Sequence, residues 1–143
     1  PLKEPNLITE TFARSPYKII VGYDHPWANR QSVSIEELRG QRFISQNESF
    51  VQHRALKKMA RLGHFRLNIV CQTDNVNILK ALVAENIGIS LQTAISINPD
   101  DHLHAIDIEA EDFPTFNMSI AYHARHYLTD KQQKVLDILR KSI

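Results

Sequence analysis

Two short polar runs hold the residue types best suited to binding chemistry: SQNES at Ser45–Ser49 and QTDN at Gln72–Asn75. Each follows an apolar strand-like run, RFIS or RLNIVC, and each opens a segment of helical periodicity. Hydroxyls and amides placed there can hydrogen-bond a small polar molecule. The first amides of the following helix, which the helix itself leaves unpaired, can accept an anion or a carboxylate. Neither run contains Lys or Arg. Any negative charge on a ligand must then be met by amides, hydroxyls and helix amino termini, which favours a small polar or carboxylate molecule over a polyphosphate. Asp74 or Asn75 also has a structural task, because its side-chain oxygen can cap the next helix.

Other constellations carry less. Arg54, Lys57, Lys58, Arg61 and Arg66 fall in a stretch with no acid, but aromatic residues are not interleaved with them, and they fit the solvated face of one helix better than a nucleic-acid surface. Asp101, His102 and His104 imitate a metal site, yet metal ligands converge from separate elements and no second His or Cys motif lies nearby, so no metal is expected. There is no G-x-S-x-G elbow, phosphate loop, dinucleotide-binding glycine fingerprint or C-x-x-C motif. Neither enzymatic activity nor a cofactor is expected.

Around the polar runs the elements are legible. YKIIVGY, Tyr17–Tyr23, is a β-branched run bounded by Ser15-Pro16 and Asp24-His25-Pro26, as a buried strand would be. SVSIEELRG has the Ser34/Glu37 spacing of a capping box and predicts a helix of one or two turns. RFIS predicts a strand and Val51–Leu62 a helix, with Val51, Ala55, Leu56, Met59 and Leu62 as its apolar stripe. RLNIVC is the next strand, and the following helix runs to about Asn86 with Ile78, Leu79, Leu82 and Val83 facing inward. IGISL is a further strand, Thr93–Asp101 a short helix or turn, and HLHAIDI and NMSIAYHA are strands. A last amphipathic helix opens at Thr129 and Gln132 and runs through Val135, Leu136 and Leu139. Strands and helices alternating with short connections predict an α/β sheet with right-handed crossovers, whose function sits at the carboxyl ends of strands. The two polar runs lie at two such ends.

With 143 residues, 43% hydrophobic and 23% charged, the chain matches an ordinary globular domain or two small lobes, and a formal charge of +1 excludes a global field that would attract DNA or anionic membrane. The single Cys71 excludes an intrachain disulfide. No apolar run approaches the length of a spanning helix. The opening PLKEPNLITE begins with Pro1 and lacks a helix-start pattern, so the chain is expected to open within a larger protein.

The ordered set YKIIVGYDHPWA, SVSIEELRGQRFIS, an Arg-bearing helix, and QTDN followed by ILKALVAENIGISL resembles the effector-binding domain of LysR-type transcriptional regulators. Trp27 and Arg42 depart from the usual leucine and proline, Asn86 stands where glycine is usual, and Gln92-Thr93 replace Leu-Pro. The resemblance implies a periplasmic-binding-protein-like α/β lobe of the second type, a mixed sheet flanked by helices, with an incomplete first lobe. Residues 1–12 would cross over from that first lobe, 13–118 form the second lobe, and 119–143 supply a return strand and terminal helix of the first. It further implies a small-molecule effector held between lobes by Ser45, Gln46 and Asn47 on one loop and by Thr73, Asp74 and Asn75 on the other. DNA would be contacted only through a helix-turn-helix domain absent from this chain, in a cytoplasmic homodimer or higher oligomer. A solute-binding protein for uptake and a small-molecule enzyme on a similar lobe are the rival readings. With part of the first lobe absent, the stripe of the last helix is expected to stand bare and to promote self-association or reordering from about Ala124 onward.

Overall fold

The computed structural model describes residues 6–124 and 128–141. Two compact units emerge, one made of residues 1–15 with 115–143 and the other of residues 16–114.

In the larger unit, strand β2 (Tyr17–Gly22) is central, and its Ile19, Ile20 and Val21 are fully buried. It pairs antiparallel on one side with β6 (Ser90–Thr93) and on the other with β7 (Leu103–Glu109). The three-residue β3 (Ser32–Ser34) adds parallel to β7, a strand that the sequence pattern did not announce. Strands β4 (Arg42–Ser45) and β5 (Asn68–Gln72) form a parallel pair. A parallel bridge between Phe43 and Ile89 joins that pair to the chain entering β6, through Ile44 N–H to Ile89 O and Ile89 N–H to Arg42 O, both 2.8 Å. The strands therefore run in the order β5-β4-β6-β2-β7-β3, a mixed sheet as expected, in which β4, β5 and β6 are mutually parallel.

Helix α1 (Val51–Leu62) has the bounds its periodicity predicts, but its buried face is rotated from the expected stripe. Gln52, His53, Ala55, Leu56, Met59 and Ala60 are buried, whereas Val51 and Leu62 are 43% and 40% exposed. Helix α2 (Val76–Ala84) packs Leu79 and Val83 on Ile20 and Ile44, with Leu82 and Cys71 partly buried at the edge. The expected inward position of Ile78 is corrected: it is 52% exposed, and Lys80 takes the buried place. Asn86 ends the α2 turn at φ 56°, a left-handed conformation that Asn tolerates better than most residues and that glycine adopts freely. Gly88 is required for another reason, since a Cβ there would meet the Arg42 carbonyl at 2.7 Å, where β4 and β6 come together.

SVSIEELRG forms a single 3-10 turn, Glu36–Leu38, instead of a one- or two-turn helix. Only one half of its capping box forms, with the Ser34 amide donating to Glu37 Oε2 at 2.9 Å. The Glu37 carboxylate is forked by Arg30 at 2.6 and 3.0 Å, and these two partners hold its pKa at about 2.

In the smaller unit, β1 (Leu7–Ser15) and β8 (Phe116–His123) form an antiparallel ribbon, bulged between Thr11 and Ala13. β1 lies largely in the segment expected as a crossover, and its pairing with β8 makes it a strand. Helix α3 (Asp130–Lys141) opens on the predicted Thr129/Gln132 box, with Thr129 N–H donating to Gln132 Oε1 at 2.9 Å and Gln132 N–H to Thr129 Oγ at 3.4 Å. Arg140 pairs with Glu10 at 2.5 Å, tying the helix to the ribbon, and this contact together with Tyr122 lowers the Glu10 pKa. The expectation of a bare stripe is corrected in part: Leu136 is buried and Leu139 half-buried, while Val135 is 55% exposed. Of the reordering expected from Ala124 onward, 125–127 and 142–143 lie outside the described residues.

Candidate functional site

Because β4, β5 and β6 run parallel, their carboxyl ends meet at one edge of the larger unit, at Ser45, Gln72 and Thr93. The two loops chosen from sequence are joined there directly: the Thr73 amide donates to the Ser45 carbonyl at 3.1 Å. One backbone hydrogen bond thus brings Ser45, Gln46 and Asn47 beside Thr73, Asp74 and Asn75.

The second loop is a helix cap. Asn75 Oδ1 accepts from the amides of Asn77 at 2.9 Å and Ile78 at 3.3 Å, and Thr73 Oγ accepts from the Asn75 amide at 3.1 Å. Of the two cap candidates, Asn75 holds the post. Asp74 is exposed, and it supplies none of the cap hydrogen bonds.

The first loop leads into α1, whose N-cap residue, Phe50, supplies no side-chain hydrogen bond, and whose first turn contains no acid. Asn47 turns the chain by accepting at its carbonyl from the Phe50 amide at 3.0 Å. Uncapped amides at Val51–His53 carry the positive end of the helix dipole. Below them lies a buried polar cluster that sequence reasoning missed. Gln52 Nε2 donates to the Leu91 carbonyl at 2.7 Å and to Ser90 Oγ at 3.4 Å, while its Oε1 accepts from the Gln46 amide at 3.1 Å. Ser45 Oγ lies 3.0 Å from His53 Nδ1 and donates to the Gln46 carbonyl at 2.8 Å, and Ser90 Oγ donates to the Ile44 carbonyl at 2.7 Å. Two buried nitrogens in this region have no hydrogen-bond partner, His53 Nε2 and Gln92 Nε2. The signal for Gln52 and His53 was present only as a polar pair in the first turn of a helix, which ordinarily means solvent.

The basic and metal-like groups have other engagements. Arg54, Lys57 and Arg61 are exposed and line a groove of about 400 Å³ with Ala60 and Leu67. Asp101 is committed to Lys80 at 2.6 Å and to the Asn98 amide at 2.7 Å, and His104 Nε2 lies 3.0 Å from the Arg30 carbonyl. Burial opposes ionisation of Asp101, but Lys80 and the Asn98 amide outweigh it and lower its pKa. Among the described residues no three His, Cys, Asp or Glu side chains gather to hold a metal ion. No helix among them is long and apolar enough to cross a membrane.

The profile of the LysR substrate binding domain matches residues 1–143. The malolactic fermentation system transcriptional activator of Lactococcus lactis subsp. lactis (strain IL1403) is 27% identical over 140 residues, which are 97% of this chain and 48% of that protein. The chain thus spans about half the length of that curated relative. Among solved structures, the CcmR regulatory domain of Synechocystis PCC6803 in complex with 2-PG superposes with a TM-score of 0.81 at 23% identity, covering 100% of this chain and 71% of that one. The effector binding domain of QuiR in complex with shikimate superposes at 0.78 with 16% identity, covering 97% and 66%. These two likenesses establish the fold.

Proposed function

From the premise that the chain belongs to the LysR substrate-binding domain family, we propose that it senses a small polar or carboxylate effector at the carboxyl ends of β4, β5 and β6, as part of a transcription regulator. The observation that carries this reading is the Thr73 to Ser45 hydrogen bond, which sets Ser45–Asn47 and Thr73–Asn75 side by side at the edge of a parallel strand group. Ligands of open α/β sheets bind at such edges. Relatives support it: one bears the name of a transcriptional activator, and two similar folds are described with 2-PG and with shikimate bound.

The regulator acts without catalysis. Effector binding shifts an equilibrium between two conformations by its differential affinity for them, and DNA is contacted by a helix-turn-helix outside these 143 residues. Residues 13–118 serve as the second lobe, the flanking segments belong to the first, and the working state is a cytoplasmic homodimer or higher oligomer. Backbone amide resonances test the site. On titration with a small-molecule panel that includes shikimate, the resonances of residues 45–49 and 72–75 move together with saturation. Thr73→Val weakens binding by about one hydrogen bond, roughly 0.5–1.5 kcal/mol, with the fold intact. Saturable binding that leaves both loops unmoved would overturn the assignment.

A further inference from the structure

Opposite charges are segregated along this chain, and the fold brings them side by side. Between Glu48 and Asp74 there are five Lys and Arg residues and no acid, whereas residues 81–124 hold seven Asp and Glu residues and no Lys or Arg. On α1, Arg54 and Arg61 stand seven residues apart in the middle of the exposed face. Lys57 lies on one flank of that row, and Val51, Lys58 and Leu62 lie on the other. The Lys58 ammonium donates to the Asp112 carbonyl at 3.4 Å, which sets the acidic segment 109–112 beside this second flank.

Neither set of charges is neutralised within one copy of the chain. Among the described residues Arg54 and Arg61 form no salt bridge, Lys57 has only the Glu48 carboxylate at 3.6 Å, and the exposed carboxylates of Glu111 and Asp112 meet no cation. Arg54, Lys57 and Arg61 line the groove of about 400 Å³ together with Ala60 and Leu67. Val51 and Leu62, 43% and 40% exposed, lie between the Arg row and the acidic segment. Complementary patches that are neighbours on one surface become self-complementary under a two-fold axis. An axis passing between them sets the basic row of each copy on the acidic segment of the other, so each contact is made twice and the assembly closes as a dimer. Exposed ion pairs contribute little by themselves. Burial of Val51 and Leu62 next to the axis therefore supplies affinity, and the charges fix orientation and exclude other registers.

We propose that this face of α1 and the segment 109–112 form an isologous interface with a second copy of this chain, in which Arg54 and Arg61 of each copy meet Glu111 and Asp112 of the other. The proposal rests on the homo-oligomeric working state inferred above and is independent of the effector site.

Sedimentation equilibrium of the 143-residue chain and of two charge-reversed variants tests it, one carrying Arg54→Glu with Arg61→Glu and the other Glu111→Lys with Asp112→Lys. The four side chains are exposed, and circular dichroism checks that each variant folds. The wild type dimerises, with a Kd about tenfold higher at about 0.5 M salt than at about 0.05 M. Each variant alone is monomeric at concentrations where the wild type dimerises. An equimolar mixture of the two variants dimerises, because the reversed row of one then faces the reversed segment of the other while the unaltered row and segment face each other. Should a double reversal unfold, the single reversals Arg61→Glu and Glu111→Lys, mixed in the same way, carry the test. Self-association that persists in the variants, or a mixture that stays monomeric, overturns the interface and leaves a homo-oligomer through another surface. A wild type that is monomeric even at low salt overturns both; if it then binds poly-glutamate or a short DNA duplex through Arg54 and Arg61, the face serves another polyanion.

Discussion

Adjacent residues in the second loop are assigned opposite roles, and a pair of substitutions separates them. Asn75 Oδ1 satisfies two amides of the first turn of α2, at 2.9 and 3.3 Å, so Asn75→Ala leaves both without a protein partner. Loss of such a cap costs about 0.5–2 kcal/mol, and the two-amide geometry places this one towards the upper half, about 1.5 kcal/mol. With a urea dependence of about 2 kcal/mol per molar, the unfolding midpoint falls by roughly 0.7 M at an unchanged slope. Asp74 is exposed and makes no cap, so Asp74→Ala removes only its attraction to the helix dipole, a few tenths of a kcal/mol that disappears in high salt. At the proposed effector site the same substitution removes a negative charge from the second loop and so strengthens binding of a carboxylate effector. Urea unfolding at low and high salt decides the matter. A larger stability loss in Asp74→Ala than in Asn75→Ala would refute the cap assignment.

Two further substitutions follow from buried or strained groups. Lys80→Met strands the Asp101 carboxylate, whose partner Lys80 is only 7% exposed at its side chain, and costs about 2–4 kcal/mol in thermal or urea unfolding at pH 7. Because the folded pKa of Asp101 is lowered, the wild-type contribution of this pair is complete above the carboxyl's ordinary value of 3.8 and fades as pH falls through the lower folded value; the variant shows a flatter acid dependence below pH 4. At Asn86, with φ 56° and a buried Oδ1 that has no hydrogen-bond partner, glycine raises stability by about 0.5–1 kcal/mol while alanine lowers it by about 1–2 kcal/mol, both read from unfolding midpoints.

The legible parts of the fold are those determined by neighbours in sequence. β2 and β4 and the bounds of α1 followed from apolar period and from Pro and Gly punctuation, and both candidate loops were visible as polar runs between a strand and a helix. The Thr129/Gln132 box formed as spaced. Elements whose partner lies far along the chain were not legible. Leu7 pairs with His123 and Ser15 with Phe116, and the three residues of β3 become a strand only through Ser32 and Ser34 meeting Asp107 and Glu109. The place of Lys80 inside α2 depends on Asp101 and on the Ser96 carbonyl, both supplied by the loop beyond β6.

The site shows the same limit at α1. An apolar stripe through Val51 and Leu62 maximises hydrocarbon burial along one helix, and local periodicity can express nothing else. The observed rotation exposes those two side chains and buries Gln52 and His53 instead. Gln52 meets that cost by bonding the Leu91 carbonyl, the Gln46 amide and Ser90 Oγ, so its amide is desolvated with partners in place and the helix is locked across β4 and β6. His53 meets it only at Nδ1. A helix turned for packing alone would have placed hydrocarbon under its amino terminus, and α1 would add no hydrogen-bonding side chain to that end of the sheet. The turn that forgoes burial of Val51 and Leu62 puts hydrogen-bonding side chains where the strands end.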